Sequence, residues 1–220
     1  MKQWWKEIHI RRESVLRTLE KSVVLAFVLS LALSTLNFQG KCENISEKVL
    51  RLHILANSDS DADQTLKLQV RDKILETAAG LVDGASDRQE AEKIVASRVP
   101  TLQKAAQEEV FAQGYDYSVR AELTEMYFTT RNYGEITLPA GKYHALRVTI
   151  GEGAGKNWWC VVYPPMCLAA AEKKESLDTV LTEEESEIVK GKPKFEIRFK
   201  VVEWWEAICD FFSPKEAKRA

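Results

Sequence analysis

Hydrophobic and polar residues along the chain form blocks that predict strands and helices in turn. Residues 48–56, KVLRLHILA, are rich in leucine and β-branched side chains and predict a buried strand. The apolar residues from Asp61 to Ala79 recur at helical spacing and predict an amphipathic helix that exposes Lys67. A second helix is predicted from Asp87, because Glu90 follows three residues later as in a capping box.

Beyond the second helix the pattern returns to strands. Pro100 is expected to kink or divide that helix. Alternating apolar and polar side chains then predict strands over residues 116–128, 144–150 and 157–163, with a polar loop at 129–143. We therefore predict an α/β (α+β) fold, a two-layer sandwich of a mixed β-sheet and two main helices.

An uncharged segment, SVVLAFVLSLALSTLNFQG, occupies residues 22–40 between two lysines. As a helix it would be roughly 28 Å long, close to the ~30 Å hydrocarbon core of a bilayer. Residues 1–21 carry six basic and three acidic side chains, and the positive-inside rule places such a head in the cytoplasm. We predict a signal peptide or transmembrane helix at 22–40, with cleavage left open, and export of the chain beyond it. A buried helix of a soluble protein is the alternative.

These patterns divide the chain into five parts. After the basic n-region (1–21) and the uncharged segment, residues 44–170 form the predicted exported α/β domain. Residues 171–193 are charged, with three consecutive glutamates, and predict a flexible insert. Residues 194–212 alternate and then become apolar, which predicts a C-terminal strand and an apolar helix.

Net charge and cysteine content narrow the function classes. The formal net charge is −2, which argues against a protein that binds nucleic acid mainly through its phosphates, so no nucleic-acid partner is predicted. The four cysteines suit an oxidising compartment: Cys42, Cys160, Cys167 and Cys209. Cys160 and Cys167 flank two adjacent prolines that could turn the chain back. A disulfide between these two cysteines and two separate buried thiols both stay open.

The first predicted strand and the loop after it carry the most suggestive polar residues. Arg51 and His53 lie on the strand, whose carboxyl end is where α/β folds place ligands. Asn57, Asp59 and Asp63 follow at that end. The aspartates alternate as in a calcium loop, but the loop glycine and the bidentate glutamate are missing, so no metal is predicted. Helix capping explains them better.

Two further features lie at the last predicted strand of the domain: a glycine-rich run before it and two tryptophans within it. The run GEGAGK, which contains Gly151 and Gly153, lacks the spacing and the hydroxyl of a phosphate-binding loop. A tight hairpin is the better interpretation, and no cofactor is predicted. Trp158 and Trp159 are neighbours on a strand, so they face opposite sides, and one can pack while the other meets a partner.

Three segments resemble the stage II sporulation protein R family of endospore-forming Firmicutes. They are residues 51–72 (RLHILANSDSDADQTLKLQVRD), 136–167 (ITLPAGKYHALRVTIGEGAGKNWWCVVYPPMC) and 194–205 (KFEIRFKVVEWW). The resemblance implies a non-enzymatic signalling protein, made in the forespore and exported into the space between the two sporulation membranes. There it would activate a membrane-embedded aspartic protease that cleaves the sigma-E precursor.

The function predicted from these observations is therefore contact with another protein. The predicted partner-binding residues lie in the 57–63 loop, in the 151–167 hairpin and on the first strand: Arg51, His53, Asn57, Asp59, Asp63, Gly151, Gly153, Trp158 and Trp159. Membrane contact is predicted only through residues 22–40. The alternatives are an exported hydrolase using His53 with Asp59 or Asp63, although no nucleophile motif accompanies them, and a structural envelope protein.

Overall fold

The computed structural model describes residues 2–134, 136–165, 177 and 180–190. Within residues 2–37, the side chains of 2–17, 28, 31, 32 and 35–37 are outside this description. The chain divides into two compact units between Lys41 and Cys42. Helix α1 (Lys2–Glu47) begins the chain and contains the uncharged segment.

The described side chains of the uncharged segment include several large exposed hydrophobic residues, namely Val23, Val24, Leu25, Phe27, Leu29 and Leu33. None of the helices, over the residues that the structure describes, is long and apolar enough to cross a membrane. The signal peptide or membrane anchor at residues 22–40 stays a prediction.

The remaining elements include the predicted strands and the two predicted main helices. In chain order they are β1 (Leu50–Leu55), α2 (Asp61–Thr77), α3 (Arg88–Ala112), β2 (Val119–Phe128), β3 (Arg131–Tyr133), β4 (Ile136–Leu138), β5 (Gly141–Ile150), β6 (Asn157–Tyr163) and α4 (Glu183–Lys190). Four strands form one sheet in the order β2-β5-β1-β6. Strand β1 is parallel to β5 and antiparallel to β6, and β2 is antiparallel to β5, so the predicted mixed sheet is confirmed.

The main core lies between the sheet and helices α2 and α3. All six residues of β1 are buried, and those that face the helices are Leu50, Leu52 and Ile54. Helix α2 contributes Leu66, Val70 and Ile74 to the same core. Fully burying one such side chain contributes about 1.5–3 kcal/mol, so this layer supplies most of the apolar stabilisation of the sheet. The predicted α+β sandwich is confirmed.

Both main helices begin at the residues that the sequence indicated. The Ser60 hydroxyl accepts a hydrogen bond from the Asp63 amide (3.2 Å) at the start of α2. The Asp87 carboxylate accepts one from the Glu90 amide (2.8 Å) at the start of α3. Each cap stabilises its helix by about 1 kcal/mol, because it satisfies an amide that has no partner within the helix.

The helices bear on two detailed predictions. Helix α3 continues through Pro100, so the proline does not divide the helix, and a kink at this position stays a prediction. Lys67 is buried instead of exposed. Its ammonium group donates hydrogen bonds to the Lys156 carbonyl oxygen (3.0 Å) and to Gln64 Oε1 (2.6 Å), because the turn before β6 covers this part of α2.

Two segments predicted to lack regular structure contain it. The 129–143 loop contains the β3–β4 hairpin. The flexible insert predicted at 171–193 contains α4, in which Ile188 and Val189 are buried. Glu185 accepts hydrogen bonds from Lys48 Nζ (2.6 Å) and the Thr182 amide (2.8 Å), which accounts for a buried carboxylate in an acidic run. The predicted C-terminal strand and helix at 194–212 lie outside the described residues.

Candidate functional site

The loop after β1 and the turn between β5 and β6 interlock through Asn57. Its Nδ2 donates a hydrogen bond to Asp63 Oδ2 (2.9 Å), and its Oδ1 accepts one from the Glu152 amide (3.0 Å). The Asn57 carbonyl oxygen accepts a third hydrogen bond from the Ala154 amide (3.1 Å). Asn57, through its side chain and its backbone carbonyl, therefore fixes the position of both loops relative to α2.

The aspartates of this loop are engaged in the same network. Asp63 is buried, and the hydroxyl of Ser58 donates a hydrogen bond to its Oδ2 (2.5 Å). That hydrogen bond is the largest cause of a lowered pKa for the Asp63 carboxyl. Asp59 accepts a hydrogen bond from the Lys156 amide (2.6 Å). No group of three or more His, Cys, Asp or Glu residues that could hold a metal ion occurs in the described part of the chain.

The glycines of the turn allow it to approach the loop closely. Gly151 has a φ of +57°, and a Cβ there would lie 2.2 Å from Asn57 Oδ1. A Cβ on Gly155 would lie 2.1 Å from the Ser58 carbonyl oxygen. Gly153 also has a positive φ, at +62°. Glycine is required here for backbone geometry and contact, which agrees with the hairpin interpretation of the GEGAGK run.

Three of the predicted residues lie, together with four others, at the sheet face that is turned away from α2 and α3. We call this group the arginine–aromatic cluster; its members are Arg51, His53, Phe128, Arg131, Tyr133, Tyr143 and Trp159. The residues come from β1, β2, β3, β5 and β6. Residue alternation along β1 places Arg51 and His53 on this face, because Leu50, Leu52 and Ile54 face the helices.

Arg51 is the fully buried centre of the arginine–aromatic cluster. Its guanidinium carbon lies 4.0 Å from the centroid of the Phe128 ring and 4.8 Å from that of Tyr143. Its Nη2 donates a hydrogen bond to the Tyr133 hydroxyl. Its Nε and Nη1 have no hydrogen-bond partner among the described residues. Burial lowers the pKa of the guanidinium, although cation–π contacts of about 2 kcal/mol each offset part of the burial cost.

His53 is packed between aromatic rings. Its ring stacks on Trp159 at a centroid distance of 4.4 Å and meets Phe128 edge-on at 6.2 Å. Burial lowers the pKa of His53 to about 4; the nearby Asn157 side chain opposes this shift, and the charges of Arg147 and Arg51 add to it. Both ring nitrogens lack a hydrogen-bond partner within the part of the chain that is described. The imidazole is therefore neutral at physiological pH.

Four residues align across the sheet at the level of His53. Strand pairing joins Glu122 to Arg147, Arg147 to His53, and His53 to Trp159; we call these four residues the open row. The Arg147 and Glu122 side chains are 41% and 51% exposed, and Arg147 Nη1 lies 3.9 Å from Glu122 Oε1. Arg131 lies over the Trp159 ring, 5.0 Å from its centroid. The open row therefore runs from the buried His53 to the partly exposed side chains of Arg147 and Glu122.

The other tryptophan faces the helices. Trp158 packs against the main core, and the Arg71 guanidinium lies 5.1 Å from the centroid of its ring. Each of the two tryptophans is half-buried, so neither projects freely from the sheet. Cys160, two residues further on from Trp158, is disulfide-bonded. Cys167, its predicted partner, lies outside the described residues, so that pairing stays a prediction.

Comparison with known proteins assigns the family. The family model described as stage II sporulation protein R matches residues 46–173. The chain is also 33% identical over 190 residues to stage II sporulation protein R of Bacillus subtilis (strain 168), covering 77% of this chain and 84% of that protein. The chain belongs to the stage II sporulation protein R family. No solved structure matches it. The family resemblance found in the sequence is confirmed, and a role in sporulation follows.

Within this member of the family, the nine predicted binding residues separate into groups. Asn57, Asp59, Asp63, Gly151 and Gly153 meet in the interlocked loops, where hydrogen bonds and close contacts already use them. Arg51, His53 and Trp159 meet on the opposite sheet face, and Trp158 stands apart from them. Whether any of the nine contacts a partner stays a prediction.

The sequence analysis missed three polar or charged residues of the cluster and the two charged residues of the open row, Glu122 and Arg147. Tertiary packing brings Arg131, Tyr133 and Tyr143 into the cluster, and no local spacing in the sequence indicates these contacts. Arg147 carried a usable signal, because it is a charged residue between the apolar Leu146 and Val148. Alternation along β5 alone places it opposite the core.

Proposed function

We propose that this protein is an exported signalling protein of endospore formation that activates a membrane-embedded aspartic protease, which processes the sigma-E precursor. Membership of the stage II sporulation protein R family is the observation that carries the proposal. The protein would be made in the forespore and act in the space between the two sporulation membranes. It would act there as a secreted or membrane-anchored protein.

Charge and hydropathy at the N-terminus support export. The basic residues 1–21 precede the uncharged segment 22–40, which is the order found in signal peptides and N-terminal anchors. The rest of the chain carries more acidic than basic side chains, so the cationic head differs from the body it precedes. In this proposal, membrane contact is limited to residues 22–40.

The geometry around His53 favours protein contact over hydrolysis. Neither ring nitrogen of His53 has a hydrogen-bond partner among the described residues, and the low pKa makes the imidazole a weak base. The Asp59 carboxylate accepts a hydrogen bond from a turn amide, and the Asp63 carboxylate accepts hydrogen bonds from Asn57 and Ser58. A general base requires an orienting partner within hydrogen-bond reach, and these two carboxylates are engaged elsewhere. The protein is accordingly proposed to be non-enzymatic and to need no cofactor.

Reconstitution in a non-sporulating host tests the proposal. The full chain is co-expressed with the candidate protease and the sigma-E precursor, and the processed form is quantified by immunoblotting. We expect processing only when all three proteins are present. A protease variant lacking one catalytic aspartate is the matched control, because the precursor should then stay intact.

The two alternatives give different results. An exported hydrolase would turn over a peptide or glycan substrate as the purified chain alone, with loss of turnover in His53→Phe. A structural envelope protein would leave precursor processing unchanged by its presence or absence. Either result would contradict the proposed activation.

A further inference from the structure

Arginine is concentrated on the solvent-facing part of the sheet face that bears the open row. Arg120 and Arg147 lie on β2 and β5, and Arg131 from the β3–β4 hairpin covers Trp159. Residue alternation places Arg120 on the same face as Glu122, and Arg120 is exposed. Among the described residues on this face of the four strands, Glu122 is the single carboxylate, and its Oε1 lies 3.9 Å from Arg147 Nη1.

Beneath these arginines, buried nitrogen atoms lack hydrogen-bond partners. Within the described residues this holds for Arg147 Nε, for both ring nitrogens of His53, and for Arg51 Nε and Nη1. Arg51 and His53 are 0% and 3% exposed. Leaving such groups buried and unpaired is unfavourable, and more so when they are charged. The Nε atom of Arg147 is buried as well, but the Arg147 side chain as a whole is 41% exposed, so a ligand would contact the solvent-exposed part of its guanidinium.

The aromatic component makes this surface suitable for a protein partner. The Trp159 ring is half-buried; it stacks on His53 and lies 5.0 Å from the guanidinium carbon of Arg131. Tryptophan and arginine dominate the energetics of protein interfaces, because they combine a large apolar area with directional hydrogen bonds. A guanidinium can also bind a carboxylate through two parallel hydrogen bonds.

We propose that the open row together with Arg131 binds an acidic segment of a partner protein. A carboxylate of that segment would accept hydrogen bonds from Arg147 and lie beside the Arg131–Trp159 pair, displacing the weak contact with Glu122. The identity of the partner as the membrane-embedded protease rests on the proposed function above. The binding chemistry does not, because it follows from the partly exposed arginines and the half-buried Trp159 on this face.

The charge distribution favours an acidic peptide over an anionic membrane. Beyond residue 21 the chain carries more acidic than basic side chains, so its whole surface would not be drawn to anionic lipids. The arginines are instead grouped around a single tryptophan and a carboxylate, which suits a directed contact with a few side chains.

A binding measurement tests the site independently of the activation assay. The full chain in detergent is titrated into a labelled peptide of six Glu-Gly repeats, with six Gln-Gly repeats as the neutral control, and anisotropy is recorded. We expect preference for the acidic peptide, at least about tenfold weaker binding in Arg147→Glu and in Arg131→Glu, and weakening by salt. Arg98→Glu, at an exposed arginine on α3, is the matched control and should bind like wild type.

Several results would overturn the proposal. They are equal binding of the two peptides, charge-reversal variants that bind like wild type, or Arg147-dependent binding to vesicles containing phosphatidylglycerol with no acidic-peptide binding. Circular dichroism and the milder Arg147→Gln variant, which we expect to weaken binding by a smaller factor, separate a lost contact from misfolding.

The co-expression assay then connects the site with the proposed function. Arg147→Glu should reduce precursor processing at least about tenfold, and replacing one acidic residue in an external loop of the protease by lysine should restore it. Wild-type processing by Arg147→Glu would contradict the site but leave the proposed function standing. Acidic-peptide binding by a wild-type chain that fails to stimulate processing would contradict the proposed function but support the site.

Discussion

The buried imidazole of His53 makes the stability of the protein depend on pH. Burial lowers its pKa from 6.5 in the unfolded chain to about 4 in the folded chain. As the pH falls below 6.5, the unfolded state takes up a proton that the folded state does not, so folding becomes less favourable. The loss levels off below about pH 4, where the histidine is protonated in both states.

The pKa difference sets the size of this effect. One pKa unit corresponds to about 1.4 kcal/mol, so His53 should reduce the free energy of unfolding by about 3 kcal/mol between pH 7 and pH 4. His53→Phe keeps a ring that can stack on Trp159 but does not titrate. The carboxylates titrate in both proteins, and the difference between wild type and variant therefore isolates the histidine.

Urea unfolding of the full chain in detergent measures this difference at intervals between pH 7.5 and 4. We expect the stability of wild type relative to His53→Phe to fall by about 1.4 kcal/mol per pH unit over most of the range from 6.5 to 4. Parallel pH profiles of the two proteins, or an NMR titration of the His53 ring with a midpoint near 6.5, would refute the reasoning.

Three further substitutions test the packing of the site, each by urea unfolding at pH 7. Gly155→Ala places a Cβ 2.1 Å from a backbone carbonyl oxygen and should cost about 2–3 kcal/mol, whereas Gly84→Ala, with no atom within 4 Å, should change stability by less than about 0.5 kcal/mol. Tyr133→Phe removes the hydroxyl that accepts a hydrogen bond from Arg51 and should cost about 2 kcal/mol; an unchanged stability would contradict the buried pairing. Asp63→Asn should cost about 2 kcal/mol, and because the pKa of this carboxyl is lowered, that difference should persist from pH 7 to about 4 and disappear only in stronger acid.

Periodic elements of the fold could be predicted from the sequence because their signals are local. The bounds of β1, α2 and α3 follow from apolar spacing and from the caps at Ser60 and Asp87. The β3–β4 hairpin has strands of three residues each, too short to show a period. Its Tyr133 contacts Arg51, 82 residues away in the chain, so no local pattern indicates the hairpin.

Helix α4 was missed for a related reason. Its first turn is acidic, which is typical of a solvated segment. Glu185 is nevertheless buried, and its carboxylate is paired with Lys48, 137 residues away in the chain. The sequence shows that Glu185 is charged, but its ion-pair partner depends on the tertiary fold. A capping pattern from Thr182 to Glu185 was the local signal that could have indicated a helix start.

The candidate site shows what the sequence left undetermined. His53 and Trp159 were both selected, but their stacking requires β6 to pair with β1 in one particular register. A shift of one residue would have faced Trp158 towards His53 instead. The interlocking of Asn57 with the Gly151 turn likewise depends on β5 lying beside β1, which alternation along each strand does not reveal.

Precursor processing by an export-blocked chain tests most directly whether the protein acts across a membrane on the protease. Leu25 and Leu29, both exposed on α1 within the uncharged segment, are replaced by arginine to prevent export while the rest of the chain is retained. Co-expression with the protease and the sigma-E precursor should give the processed form with the wild-type chain. The variant, confirmed by immunoblotting to be present in the cytoplasm, should give none. Equal processing by the retained variant would contradict an exported activator.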